Sequence, residues 1–249
     1  TFVMVAPADP FRCPPGPYER ISLVAHYIKN NKPNSKIIVL DQKDKFSKQV
    51  LFTNGWKELY GDLIEWRAAQ FGGKVVSVDP VKKIVVTEDE EVQADVLNYI
   101  PNQKASQLAF DSGLVADGKD WCDIHPKTFE SKLVKNVHVI GDASNAAPMP
   151  KSAFSASTQG KVVALQIARM LKQQEPLNPP KLANTCYSLL SPNYGISIAA
   201  VYNALDDKIQ NVDGAGGVSP ETDPDGHIRI LEAKYAYAWY ESQTADIFK

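Results

Sequence analysis

The sequence predicts an α/β fold on a parallel sheet, and three segments carry that prediction. Residues 1–7, Thr-Phe-Val-Met-Val-Ala-Pro, form an apolar run rich in strand formers. Tyr18 to Asn30 carries apolar residues at Ile21, Val24, Ala25 and Ile28, the spacing of an amphipathic helix. Lys36-Ile-Ile-Val-Leu-Asp41 is a second short apolar run, closed by an acid. Strand, loop, helix, strand is a βαβ unit, the crossover that two parallel strands require. It reads as a Rossmann-like unit.

The remaining elements follow in order. Residues 44–72 read as irregular and helical. Val75-Val-Ser-Val78 and Lys83-Ile-Val-Val-Thr87, separated by Asp79-Pro80, predict an antiparallel hairpin, and Glu88 to Val92 leads into a further strand. Ala94 to Ile100 reads as a buried strand stopped by Pro101. Val137-His-Val-Ile-Gly-Asp142 reads as another strand. Ser155 to Lys172, with Val162, Val163, Leu165, Ile167, Ala168 and Leu171, predicts the clearest long helix. Glu175-Pro-Leu-Asn-Pro-Pro180 is a linker. Beyond it the chain reads as strand-rich, with a Gly/Asp/Pro turn region at 206–226 and a closing aromatic cluster of Tyr235, Tyr237, Trp239 and Tyr240.

Composition narrows the function. The 249 residues hold 27 Lys+Arg against 29 Asp+Glu, a net charge of −2, which lacks the basic footprint of nucleic-acid binding. No run of about 18 apolar residues occurs, so no membrane-spanning helix is expected. Three Cys and four His are too few and too scattered for a zinc site, and no metal is expected. The odd set Cys13, Cys122 and Cys186 allows either three buried thiols or one pair with one left over. The chain starts inside a strand, without an initiator Met or a secretion signal, and so reads as a mature or processed chain.

The turn after the first strand is where a dinucleotide fold carries Gly-x-Gly-x-x-Gly. Here it is Pro7-Ala-Asp-Pro-Phe-Arg-Cys-Pro-Pro-Gly-Pro17, with Gly16 alone. Prolines remove the N–H donors that a pyrophosphate would use, so the nucleotide loop reads as replaced, although Asp41 falls where a ribose-binding acid would sit. In place of the glycines is Cys13, held in a stiff loop beside Arg12 and ahead of a helix start. That setting favours a thiolate, while the prolines by themselves read first as shaping a surface turn. Glu19 falls in the first helical turn, where an acid complements the helix dipole.

Phe129-Glu-Ser131 and Val137-His-Val-Ile-Gly-Asp-Ala-Ser144, followed by Gln159-Gly160-Lys161, resemble the second FAD-binding segment of the two-dinucleotide-domain flavin disulfide reductases. Pro10-Phe-Arg-Cys-Pro-Pro-Gly-Pro-Tyr-Glu19, Pro148-Met-Pro-Lys-Ser152, Asn184-Thr-Cys-Tyr187 and Tyr235-Ala-Tyr-Ala-Trp-Tyr240 narrow the resemblance. Together they resemble the flavoprotein subunit of flavocytochrome c sulfide dehydrogenase, a relative of sulfide:quinone reductase. The resemblance covers the C-terminal three-fifths of that subunit.

The resemblance implies a partial two-dinucleotide-domain flavoprotein fold. Its parts would be a second, NAD-like domain over 1–97, the returning part of an FAD domain over 98–178, and an α+β interface domain over 179–249. It implies FAD, with the covalent attachment site and the Gly-rich first FAD half on a separate or absent N-terminal segment. Cys13 and Cys186 match the family's redox disulfide, Cys186 being nearer the flavin, and Glu19 matches an acid near the flavin, a candidate base. Gly141 and Asp142 match an FAD contact, Lys151 and Ser152 fall in the segment passing the isoalloxazine, and Trp239 matches an aromatic near the ring. Cys122 has no counterpart and is expected to be a structural free thiol.

The implied activity is sulfide oxidation with electrons passed through FAD to a c-type cytochrome. The chain has no Cys-x-x-Cys-His, so the haem would lie on a partner. A disulfide implies an oxidising compartment, here the bacterial periplasm. Two alternatives stand beside this reading. A sulfide:quinone reductase should carry a basic amphipathic C-terminus, whereas residues 226–249 and their flank carry Asp225, Glu232, Glu241 and Asp246. A non-catalytic docking module would lack bound FAD.

Overall fold

The computed structural model describes residues 1–248 and divides into two compact units, each assembled from separate stretches of chain. Unit one comprises Thr1–Asn102, Tyr187–Ile196 and Pro220–Tyr237; unit two comprises Gln103–Cys186, Ser197–Ser219 and the end of the chain.

Unit one begins as expected: β1 (Phe2–Ala6), α1 (Gly16–Asn31) and β2 (Ile37–Asp41). Pro17 opens the helix, where its missing N–H costs nothing, and Glu19 and Lys29 complement the two ends of its dipole. Next come α2 (Gln49–Tyr60) and β3 (Ile64–Arg67). The strand departs from the helical expectation for 44–72. It is an outer strand of four partly exposed residues that alternates apolar and charged side chains, too short to leave a clear pattern.

A three-stranded antiparallel meander follows, β4 (Val75–Asp79), β5 (Ile84–Thr87) and β6 (Glu91–Gln93), and then β7 (Val96–Tyr99). The parallel sheet has the order β3-β2-β1-β7. β7 was expected to be buried, but Val96 is 54% exposed and Tyr99 46%. Among the described residues β7 pairs on one side only, with β1, so its side chains form a sheet edge.

Alternation along β1 and β2 builds two cores. Met4, Ile37 and Val39 pack with Tyr18, Ile21 and Ala25 of α1 and with Leu51, Phe52 and Trp56 of α2. Val3, Val5, Ile38 and Leu40 face the other way, onto Val85, Val92 and Ala94. Both faces are covered, which explains the unbroken apolar runs.

Unit two contains α3 (Gln107–Asp111), the short parallel pair β8 (Cys122–Asp123) and β9 (Ser144–Asn145), and α4 (Ala153–Leu171). The strand expected over 137–142 does not form. Ser131 N donates to Val137 O and Val139 N to Phe129 O, so the segment folds back on 129–131 through a single bridge between Glu130 and His138. It then breaks into a 3₁₀ turn over Gly141–Ala143, where Gly141 has φ +67°. The core of this unit gathers Cys122, Phe129, Val139, Met149, Val163, Leu182, Tyr202 and Ile209.

The C-terminal third supplies β10 (Lys181–Ser191), β11 (Tyr194–Ala204) and β12 (Ile209–Val218), a sheet in that order, and then α5 (His227–Phe248). Two expectations change here. β12 lies within the predicted turn region 206–226, which is strand over most of its first half. The aromatic cluster sits on a 22-residue helix rather than in a strand-rich end. In unit one the backbone of α5 comes so close to β11 that a Cβ on Gly195 would lie 2.4 Å from Ala233 N.

Candidate functional site

Cys13 lies in the loop between β1 and α1 with φ +54°, a conformation that L-residues other than Asn and Asp rarely adopt. The loop is fixed by the Gly16 N–H, which donates to the Cys13 carbonyl at 2.7 Å. A Cβ on Gly16 would stand 3.1 Å from Cys13 Sγ, so the half-buried thiol rests against the first residue of α1. That end of the helix carries partial positive charge, which favours a thiolate. One turn later Glu19 accepts a hydrogen bond from Leu189 N of β10 at 2.8 Å. Burial raises the Glu19 carboxyl above its ordinary pKa, opposed by this N–H and by the charge of Lys48. Gly16 and Glu19 also line one end of an apolar groove of about 890 Å³, bounded by Leu23, Tyr27 and Val96.

The acid at the end of β2 is fully buried and internally satisfied. Asp41 Oδ2 accepts from Tyr18 Oη at 2.5 Å and from Trp66 Nε1 at 3.0 Å. Its Oδ1 accepts from Lys43 Nζ at 2.7 Å and from Lys43 N at 3.1 Å. Phe46 stacks on the Tyr18 ring with centroids 3.6 Å apart. Burial and the Asp41 carboxylate push the Tyr18 phenol well above its ordinary pKa, so it remains a donor. Where a dinucleotide domain would present an acid to a ribose, this chain presents its own aromatic side chains. Sequence reading found Asp41 but not Tyr18, Trp66 and Lys43, whose convergence depends on packing.

In unit two, Gly141 and Asp142 form the 3₁₀ turn ahead of α4. Gly141 N donates to Gln159 Oε1 at 2.7 Å, and a Cβ on Gly141 would sit 3.2 Å from Ala156 Cβ, so the turn hugs the first turns of α4. Lys151 braces it: Nζ donates to the carbonyls of Asp142 and Ser144, each at 2.8 Å, and lies 3.7 Å from the Trp121 ring centroid. Burial pulls the Lys151 ammonium down to a pKa of about 8. Ser152 caps α4 by accepting from Ser155 N at 3.1 Å.

Ser152 Oγ and Ser155 Oγ both reach Asn184 Oδ1 of β10, at 2.5 and 3.1 Å. Cys186, half-buried, is two residues along the same strand and so shares the face of Asn184. Trp239 of α5 stacks on Phe154 of α4, with centroids 6.0 Å apart and planes inclined by 28°. Cys122 is fully buried, and burial raises its thiol pKa, which suits a structural role. Cys13 belongs to unit one and Cys186 to unit two.

The residues around α4 fit a flavin. Glycine at 141 lets a turn approach the helix start closely, the half-exposed Asp142 offers a hydroxyl acceptor, and Trp239 and Phe154 supply flat apolar faces.

In fold, the parallel sheet, meander and crossover helices have a counterpart in a solved flavoprotein disulfide reductase. The structure superposes on the HOCl-induced flavoprotein disulfide reductase RclA from Escherichia coli with TM-score 0.51 and 10% identity, over 80% of this chain and 41% of that one. It also matches a chain of the mitochondrial ATP synthase of Tetrahymena thermophila with TM-score 0.61 and 14% identity, over 98% of this chain. This chain spans 59% of the length of that subunit. At such identities the likeness is one of fold.

Two family models take the assignment further. One describes the central region of the sulfide dehydrogenase (flavocytochrome c) flavoprotein chain and matches residues 1–101. The other describes the flavin-binding region of flavocytochrome c sulphide dehydrogenase and matches residues 178–248. The chain belongs to the family of flavocytochrome c sulfide dehydrogenase flavoprotein subunits. Cys13 and Glu19 lie in the first matched stretch, Cys186 and Trp239 in the second, and Gly141, Asp142, Lys151 and Ser152 between them.

Proposed function

We propose that this chain is the sulfide-oxidising part of an FAD-dependent sulfide:cytochrome c oxidoreductase, with Cys13 and Cys186 forming its redox disulfide. The observation that carries this reading is that the two cysteines fall one in each family-matched stretch. Cys13 also sits against a helix start, which stabilises it as a leaving thiolate.

Hydrosulfide attacks one sulfur of the disulfide, forming a new S–S bond and breaking the old one. The products are a persulfide on one cysteine and a thiolate on the other. Glu19, half-buried and made a better proton acceptor by burial, takes the persulfide proton and becomes neutral. The remaining thiolate and the deprotonated persulfide would join as a new S–S bond as two electrons leave them for bound FAD, which supplies two-electron acceptance and one-electron release to a c-type cytochrome subunit. Gly141, Asp142, Lys151, Ser152 and Trp239 would hold the flavin, and its covalent attachment would lie on a segment outside this chain. A disulfide that operates in this way needs an oxidising compartment, and the reading therefore includes the bacterial periplasm as its location.

The test uses the complete flavoprotein–cytochrome assembly under anaerobic conditions. Sulfide should bleach the flavin's visible band and reduce the haem, and Cys13→Ser and Cys186→Ser should each abolish the bleaching. Thiol counting should find two more reactive thiols after reduction than before. Sulfide-dependent bleaching that survives Cys13→Ser refutes the assignment.

A further inference from the structure

Lys48 is an unusual residue for its position. It precedes α2 with φ +60° and ψ +27°, in the left-handed region where glycine or asparagine would be unstrained. Its side chain is nevertheless buried, with the whole residue 8% exposed, and lysine is almost never buried to that extent unless its charge is answered. The stem passes over the Phe52 ring, with Nζ 5.8 Å from the centroid. The ammonium then donates to Ser188 Oγ at 2.9 Å and reaches the Ile196 carbonyl at 3.5 Å. Ser188 is the residue before Leu189, whose N–H holds the Glu19 carboxylate. A cation just ahead of α2 and an anion from α1 therefore converge on consecutive residues of one strand, within unit one.

We propose that Lys48 is a positioning residue for Glu19: its ammonium, anchored on β10, holds the Glu19 carboxylate in the charged form from which it accepts a proton. This rests on Glu19 being the proton acceptor of the reaction above. Burial alone would leave Glu19 protonated too readily; the Leu189 N–H and the Lys48 charge are what oppose it. Arg20, Lys32, Asp95 and the Thr1 ammonium line the groove with Glu19. They border open solvent, where screening weakens their effect.

The test reads Glu19 directly. Carboxyl carbon-13 NMR of the chain, with Glu19→Gln to assign the resonance, gives its titration without sulfide or flavin turnover. Lys48→Met should raise the Glu19 midpoint by about one pH unit or more, tenfold in proton affinity. Lys48→Gln, which keeps a donor for Ser188 but no charge, should do the same if the methionine variant folds poorly. Lys48→Arg should restore the midpoint. In the complete assembly the acidic limb of the rate–pH profile should move up with the midpoint. A Glu19 titration that ignores both neutral substitutions overturns the proposal. A titration that responds to Lys48, together with sulfide oxidation indifferent to Glu19→Gln, sustains the coupling and overturns the proton-acceptor role assigned above.

Discussion

Tyr18 donates its hydroxyl to Asp41 at 2.5 Å, across the gap between the first turn of α1 and the end of β2. Those are the two places from which a dinucleotide fold normally grips pyrophosphate and ribose. The chain thus keeps the acid and occupies it. With Trp66 and Lys43 as further donors, Asp41 has no lone pair facing outward for a ribose hydroxyl. NAD or NADH at millimolar concentration should therefore leave the melting temperature unchanged, since a ligand that binds the native state must stabilise it. A saturable upward shift would show that the aromatic cover opens.

The same arrangement makes Asp41 a stability hub. Asp41→Ala leaves a buried phenol, an indole N–H and a mostly buried ammonium without their acceptor. Removing one side of a buried charged network typically costs about 3–5 kcal/mol. Tyr18→Phe removes a single donor and should cost roughly 1–2 kcal/mol. Urea unfolding monitored by tryptophan fluorescence measures both, and equal losses for the two variants would contradict the network.

Cys122 should be chemically silent in the native chain. It has no exposed surface, and burial raises its pKa, so both access and thiolate fraction oppose reaction. In the reduced protein, a thiol reagent should modify Cys13 and Cys186 first and Cys122 only on unfolding. Cys122→Ser should leave the native labelling amplitude unchanged; a drop of one thiol would place Cys122 among the reactive set.

Much of this was legible from residue order where a single element decided the outcome. The first βαβ unit, the meander and the long helix α4 follow from local periodicity. The expectation for 137–142 failed because an apolar run ending in Gly-Asp says nothing about its pairing partner. Here the segment bonds back to 129–131, and Gly141 breaks it. The edge position of β7 depends on sheet order, which no local pattern encodes. At the site, Cys13 and Glu19 stood out by their places in the Pro-rich loop and first helical turn, while their roles and that of Cys186 came from resemblance. Lys48 was missed because its importance comes from burial between α2 and β10, and a lysine ahead of a helix normally reads as surface.

Lys151 gives a pH dependence with a definite sign. Burial lowers its folded-state pKa to about 8, below the value of about 10.4 expected for an unfolded lysine. Between these values the unfolded chain binds more protons than the folded one, so stability contributed by this group rises with pH from about 8 to 10. Below pH 8 both states are protonated and the burial penalty is fully present. Lys151→Met removes the titration, so the difference in urea midpoint between parent and variant should change over this window and stay flat from pH 6 to about 7.5. A constant difference across both ranges would mean that the ammonium titrates normally.

The last prediction concerns how α5 is held in unit one. Gly195 lies at the start of β11, and a Cβ there would stand 2.4 Å from Ala233 N and 2.6 Å from Glu232 C. These are backbone atoms of α5, so no side-chain rotation can relieve the clash; the helix or the strand must move. Arg229, one turn earlier, ties the same helix to its approach loop. Its N–H donates to Asp223 Oδ2 at 2.9 Å, its guanidinium bonds the Pro220 carbonyl, and the group lies over the Tyr194 ring. Ala233 is 2% exposed, which leaves little room for the helix to shift locally. Gly195→Ala should therefore cost at least about 1–3 kcal/mol, the range for overpacking, and its effect should exceed that of Gly217→Ala, where a Cβ meets nothing within 4 Å. Thermal unfolding of the two variants side by side decides it. Equal melting temperatures would mean that β11 and α5 are not packed backbone to backbone at Gly195.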